Sequence, residues 1–192
     1  PFTFYTQDVF GTHNFLSTSN AISGTVGPVG YYVYQQHRES DGFRSANSEY
    51  DLNYGGAKFI TNLSPTARWI VSFDLYDERH GEPGGLTRQD FFVNEFYTAT
   101  RQFDDFQLRR YNVWLGYQEE VYPDLFFQVK AWATYYSRFS RRQRGGGFGT
   151  VPTSPLADFQ LQEFRNIGVE PRLRVDWGAC AEHNFTLGVM YY

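Results

Sequence analysis

Five side chains able to bind a metal or move a proton crowd into residues 74–82: Asp74, Asp77, Glu78, His80 and Glu82. Asp74, Glu78 and His80 are separated by even steps, so an extended chain projects them from one face. A metal site needs such donors to converge. A solvated rim of charge does not, and spacing alone leaves both readings open. Hydrolytic signatures are missing: the chain has no HExxH pair, no CxxC pair and no nucleophile elbow. His13, His37 and His183 are isolated and read as surface residues. Cys180 is the single cysteine, so no intrachain disulfide can form, and an inert thiol is expected. The second signal is arginine: Arg44, Arg88, Arg101, Arg138, Arg141, Arg142 and Arg144. A guanidinium fork pairs carboxylates and phosphates bidentately. These arginines suit an anionic ligand, the phosphates of lipopolysaccharide, or general solvation.

The elements that carry these residues are extended. In residues 68–76, Trp69, Val71, Phe73 and Leu75 alternate with Arg68, Ser72, Asp74 and Tyr76. Period-two alternation marks a strand with unlike faces. The pattern predicts nine strands: residues 2–10, 15–25, 31–39, 49–63, a fifth starting at 68, 108–121, 126–139, 160–177 and 184–192. No segment has a convincing helical period. Tight turns fall at 27–30 (GPVG), 64–67 (SPTA), 122–125 (YPDL) and 178–183 (GACAEH), where Pro and Gly supply turn geometry. Between them come longer, charged, glycine-rich loops at 40–48, 81–107 and 140–159.

Short turns at one end and long loops at the other are the mark of an outer-membrane β-barrel. Several strands exceed nine residues, which suits a tilted membrane-spanning strand. Aromatic residues make up 20% of the chain, a composition that favours pleated surfaces and membrane interfaces. Mean hydropathy is -0.52 and no run of 18 apolar residues occurs, so a transmembrane helix is excluded while a barrel is not. Net charge is -4, which argues against nucleic acid as a partner. A soluble all-β binding module also alternates, with the bulky face as its core. The charged face fits a wet lumen, because unpaired charges in a packed core cost several kcal/mol each.

Three segments resemble the early barrel strands of TonB-dependent outer-membrane transporters: SGTVGPVGYYVYQQHRESDGFR (23–44), YDLNYGGAKF (50–59) and FDLYDERHGEPGGLT (73–87). The resemblance is strongest toward the ferric citrate and ferric-siderophore group, and SDGFR and PGGLT are its most specific pieces. It implies an all-β antiparallel transmembrane barrel of 22 strands, with short periplasmic turns, long extracellular loops, an internal plug and an N-terminal coupling motif. On that footing residues 1–192 are expected to be an N-terminal portion of the barrel, about nine strands, with plug and remaining strands outside it. The implied protein is a bacterial outer-membrane import receptor, not an enzyme, with no resident cofactor. Its implied partners are ferric citrate or a ferric siderophore, the TonB complex acting through the plug, lipopolysaccharide and outer-membrane lipid, and the rest of the same receptor. The same architecture could import a vitamin or an oligosaccharide. Within this frame His80, Arg88, Arg101 and Arg138 are the expected ligand contacts, and RRQRGGG (141–147) a flexible lid. Trp69, Phe73, Tyr111, Tyr117, Phe127, Tyr135 and Trp177 are expected to face lipid.

Overall fold

The computed structural model describes residues 2–93, 97–178 and 182–192. Nine antiparallel strands form one sheet in simple chain order. They are β1 (Phe2–Phe10), β2 (Leu16–Val26), β3 (Val29–Ser40), β4 (Tyr50–Asn62), β5 (Ala67–Gly81), β6 (Asp105–Tyr122), β7 (Leu125–Gln143), β8 (Ala157–Trp177) and β9 (His183–Gly188). The nine expected strands are all present. Cys180 and part of the β8–β9 turn lie outside the described residues.

Turn chemistry sets the short end. Gly27 has a φ of 56° and is followed by Pro28, which fits a two-residue hairpin with glycine at its first central position. At the β6–β7 hairpin Asp124 takes a φ of 65° after Pro123, the residue order of a type II turn. The long connections, 41–49, 82–104 and 144–156, all leave from the other end.

Register then sorts the side chains into rows. Phe4, Ile22, Val33, Ala57, Phe73, Val113, Ala133 and Ile167 lie in direct register across eight strands, and every one is apolar. Two rows of the same face toward the loop end lie Asp8, Thr18, His37, Asn53, Asp77, Arg109, Ser137 and Glu163, and every one is polar. Because side chains alternate along each strand, a one-residue slip anywhere would break both rows. All seven aromatics expected to face lipid share this face. It has no second layer over it: Trp69 and Phe73 are each 43% exposed and Ile167 74%. Among the described residues the buried apolar side chains are Ala67, Ile70, Ala99, Phe106 and Pro152. A soluble sandwich would bury its bulky face against a second sheet, and the described residues form one sheet only.

The opposite face is mixed, with aromatics lying flat over glycines. A Cβ on Gly56 would meet Tyr34, and one on Gly168 would press into the Trp132 ring. Trp132 Nε1 donates to Asn166 Oδ1 at 2.8 Å, which pins its ring across the β7–β8 seam.

The structure corrects the expected limits at the loop end. β6 begins at Asp105, β7 runs to Gln143 and β8 begins at Ala157. Arg141, Arg142 and Gln143 are therefore strand residues, not part of a lid. Among the described residues the 82–104 loop holds one short helix, α1 (Arg88–Phe92), started by a capping box in which Thr87 and Asp90 satisfy each other's backbone N–H.

Candidate functional site

On the mixed face, near the loop end, charged and aromatic groups gather around Phe106. β5, β6 and β7 bring His80, Phe106 and Ser140 into direct register. Phe106 is 4% exposed and Ser140 3%, so the ring is fixed in the wall. The His80 ring stacks on it with centroids 5.3 Å apart and planes 11° from parallel. The guanidinium carbons of Arg138 and Arg142 stand 4.8 and 5.1 Å from the same ring centroid. Each such cation–π contact is worth about 0.5–1 kcal/mol at exposed sites.

The charge pairing of this group is uneven. His80 lies between two carboxylates: Nδ1 is 2.8 Å from Glu78 Oε1 without hydrogen-bond geometry, and Nε2 is 3.7 Å from Glu82 Oε1. Tyr76 donates its hydroxyl to Glu78. Arg138 and Arg142 have no carboxylate partner among the described residues. Asp158, which faces Arg142 in register, instead binds Arg144 at 2.5 Å. Two guanidiniums backed by an aromatic ring thus keep their forks available for an anion.

A second network lies deeper on the same face. Tyr54, Tyr76, Arg110, Tyr136 and Phe164 stand in direct register from β4 to β8. Arg110 lies 5.5 Å from the Tyr76 ring centroid. Tyr34 reaches over Gly56 to donate to Asp74 on β5, and its hydroxyl lies 3.0 Å from that of Tyr54.

Above the strands the loops are stitched together by backbone acceptors. Arg44 Nε donates to Thr98 O at 2.8 Å and its Nη2 to Gly84 O at 3.2 Å. Burial pulls this guanidinium down from its ordinary value. Asn47 Nδ2 donates to the carbonyls of Glu82, Arg101 and Asp104 at 3.1, 3.2 and 2.7 Å. Arg101 Nη1 donates to Gly145 O at 2.9 Å, and Arg141 Nε donates to Phe103 O at 2.7 Å. Residues 41–49, 82–104 and 144–156 are thus cross-braced.

Of the four expected contact residues, the structure brings His80 and Arg138 together at Phe106. Arg101 serves as a loop brace and lies 4.0 Å from Asp104. Arg88 sits on α1, 6.0 Å from the Phe92 ring centroid. Phe106 is the member that sequence reasoning missed; Arg142 was among the arginines suited to an anion but was expected in a loop and not among the four contacts. Extending the parity of Arg110 and Asn112 back along β6 would have placed Phe106 on their face. His37, read as isolated, is not: Glu39 lies beside it on β3, and Asp51 lies near it across the β3–β4 seam.

No protein-family model matches the sequence, and no curated protein matches it. Solved structures do match. The ferric citrate transporter FecA in its unliganded form superposes with a TM-score of 0.73 at 18% identity, over 92% of this chain and 26% of that one. The chain has the fold of a segment of that transporter. The RagAB peptide transporter also matches, with a TM-score of 0.59 at 12% identity, over 92% of this chain and 24% of that one. The chain thus spans about a quarter of the length of each structure it matches.

Proposed function

We propose that this chain is part of the barrel of a bacterial outer-membrane import receptor, and that its cargo is an anionic ferric chelate such as ferric citrate or a siderophore. The apolar face then meets lipid and the mixed face lines the lumen. On β7 the apolar stretch runs from Leu125 to Tyr135. That is about 33 Å of strand at ~3.3 Å per residue, or about 25 Å of height at a tilt near 40°, the height of a barrel's apolar band. The observation that carries the cargo is the pair Arg138 and Arg142, stacked on Phe106 without a carboxylate partner among the described residues. A chelate rich in carboxylate or other anionic oxygen can pair with both forks while His80 supports the platform. Passage through the barrel is then energised by the TonB complex acting on a plug, as the resemblance implies.

The test is uptake of labelled ferric citrate by cells bearing the whole receptor. Arg138→Ala combined with Arg142→Ala should lower uptake and cell-surface binding at least tenfold, with the amount of folded receptor unchanged. Arg88→Ala should change it little. Unchanged binding in the double variant would remove this cargo assignment, and binding of a neutral oligosaccharide or a vitamin instead would redirect it.

A further inference from the structure

On the opposite face from the arginine pair, β3 and β4 place four side chains in a square. His37 stands opposite Asn53 and Glu39 opposite Asp51, all pointing to the same side. One nitrogen of His37 and one oxygen each of Glu39 and Asp51 lie within 4.8 Å of one another.

Hydrogen bonds determine which nitrogen is available. Asn53 Nδ2 donates to Asp51 Oδ1 at 2.7 Å. An ionised carboxylate only accepts, so this bond fixes the amide orientation and turns Asn53 Oδ1 toward His37 Nδ1, 2.9 Å away. Nδ1 therefore carries the proton, and in the neutral ring Nε2 presents its lone pair. Nε2 lies 3.5 Å from Glu39 Oε2. Two acceptors converge there, and beside them two carboxylates stand directly opposite across the seam, an arrangement that destabilises a sheet when left uncompensated. Arg79, opposite Asp51 on β5, directs Nη2 toward Asp105 at 3.9 Å and forms no ion pair with Asp51.

We propose that His37, Glu39 and Asp51 form a binding site for a divalent cation of the zinc class, with Asn53 as the positioning residue that orients both His37 and Asp51. One imidazole and two carboxylates suit zinc, cobalt or nickel better than calcium or magnesium, which take oxygen ligands. A histidine ligand whose second nitrogen is held by an amide oxygen follows the usual outer-shell pattern of metal sites. Glu39 is 48% exposed, so the site keeps coordination positions open to water or to an anionic group outside the sheet. A bound ion clips β3 to β4 and removes the repulsion between Glu39 and Asp51. It lies on the face away from Phe106 and so is separate from the proposed cargo site.

The test uses the whole receptor, purified in detergent and stripped with a chelator. Zinc chloride is titrated by calorimetry into the wild type and into H37A, E39Q/D51N and N53A, with cobalt absorption as a second readout. Wild type should bind one equivalent more zinc than H37A and than E39Q/D51N, and N53A should bind that equivalent about 10–100-fold more weakly. Calcium should give no difference between wild type and H37A. Equal zinc stoichiometry in wild type and H37A, with both folded by heat-dependent gel mobility, would overturn the assignment. Ferric citrate uptake by H37A should match wild type, so failure of the cargo reading leaves this result standing, and the reverse.

Discussion

Gly56→Ala is the sharpest probe of how the mixed face is built. A Cβ at this position would lie 2.5 Å from the Phe73 carbonyl oxygen, 2.8 Å from the Tyr34 hydroxyl and 2.9 Å from Asp74 Oδ1. All three are inside van der Waals contact, and none can yield freely. The carbonyl is backbone and moves only if β4 and β5 part locally. Tyr34 can retreat only by releasing Asp74, which leaves a half-buried carboxylate short of a donor, at about 1–3 kcal/mol. Overpacking strain is of the same size, about 1–3 kcal/mol. Replacing glycine in a strand returns about 0.5–1 kcal/mol of chain entropy. Taking the cheaper route leaves a net loss of about 1–2 kcal/mol, a factor of about 5–30 in the folding equilibrium. Gly30→Ala is the matched control. Its Cβ would have no neighbour closer than 3.8 Å, so it should be neutral or slightly stabilising. The assay is the urea midpoint of the whole receptor in detergent, read by heat-dependent gel mobility. If Gly56→Ala unfolds at the same midpoint as Gly30→Ala, then Tyr34 does not lie over Gly56 and the reasoning fails.

Three further outcomes follow from the same geometry. Leu115→Arg, on the apolar face, should destabilise the receptor in bilayers by about 2–4 kcal/mol if that site lies near the midplane, whereas Thr134→Lys on the mixed face should stay within about 0.5 kcal/mol; the two are compared by urea unfolding in liposomes. Arg44→Ala removes charged donors from the Thr98 and Gly84 carbonyls, each worth about 1.5–3 kcal/mol, so chymotrypsin should cut the 82–104 loop at least tenfold faster while the strands stay protected, as followed by mass spectrometry. The Asp77–Arg109 pair, 3.2 Å apart and about half exposed, should show a coupling of no more than about 1 kcal/mol in a double-mutant cycle.

Strand existence was legible because alternation is a local property, and Trp69 to Tyr76 shows it within eight residues. Strand ends at the loop side were not. Arg141 to Gln143 continue β7 with the polar composition of a loop, and Asp105 to Gln107 start β6 with charged and polar residues on either side of Phe106. The short helix was hidden for a different reason: five residues are too few for a helical period, and only Thr87 and Asp90, spaced as a capping box, mark it. Of the site, His80 and Arg138 were found because their parity and charge are local. Phe106 and Arg142 join them only through register across β5, β6 and β7, which no single strand encodes. His37 shows the same limit. Its partner Asp51 is fourteen positions away in sequence and adjacent only once β3 pairs with β4.

The central claim is that one face of this sheet meets lipid and the other a wet lumen. It is tested most directly by placing a fluorescent label on single cysteines introduced one at a time at 70–76 of β5 and 111–117 of β6, in the whole receptor reconstituted in liposomes with a nitroxide-bearing lipid. Quenching should alternate with period two, strong at 71, 73, 113 and 115 and weak at 72, 74, 112 and 114, with the reverse pattern for a water-borne quencher. Uniform quenching, or alternation in the opposite phase, would contradict the account.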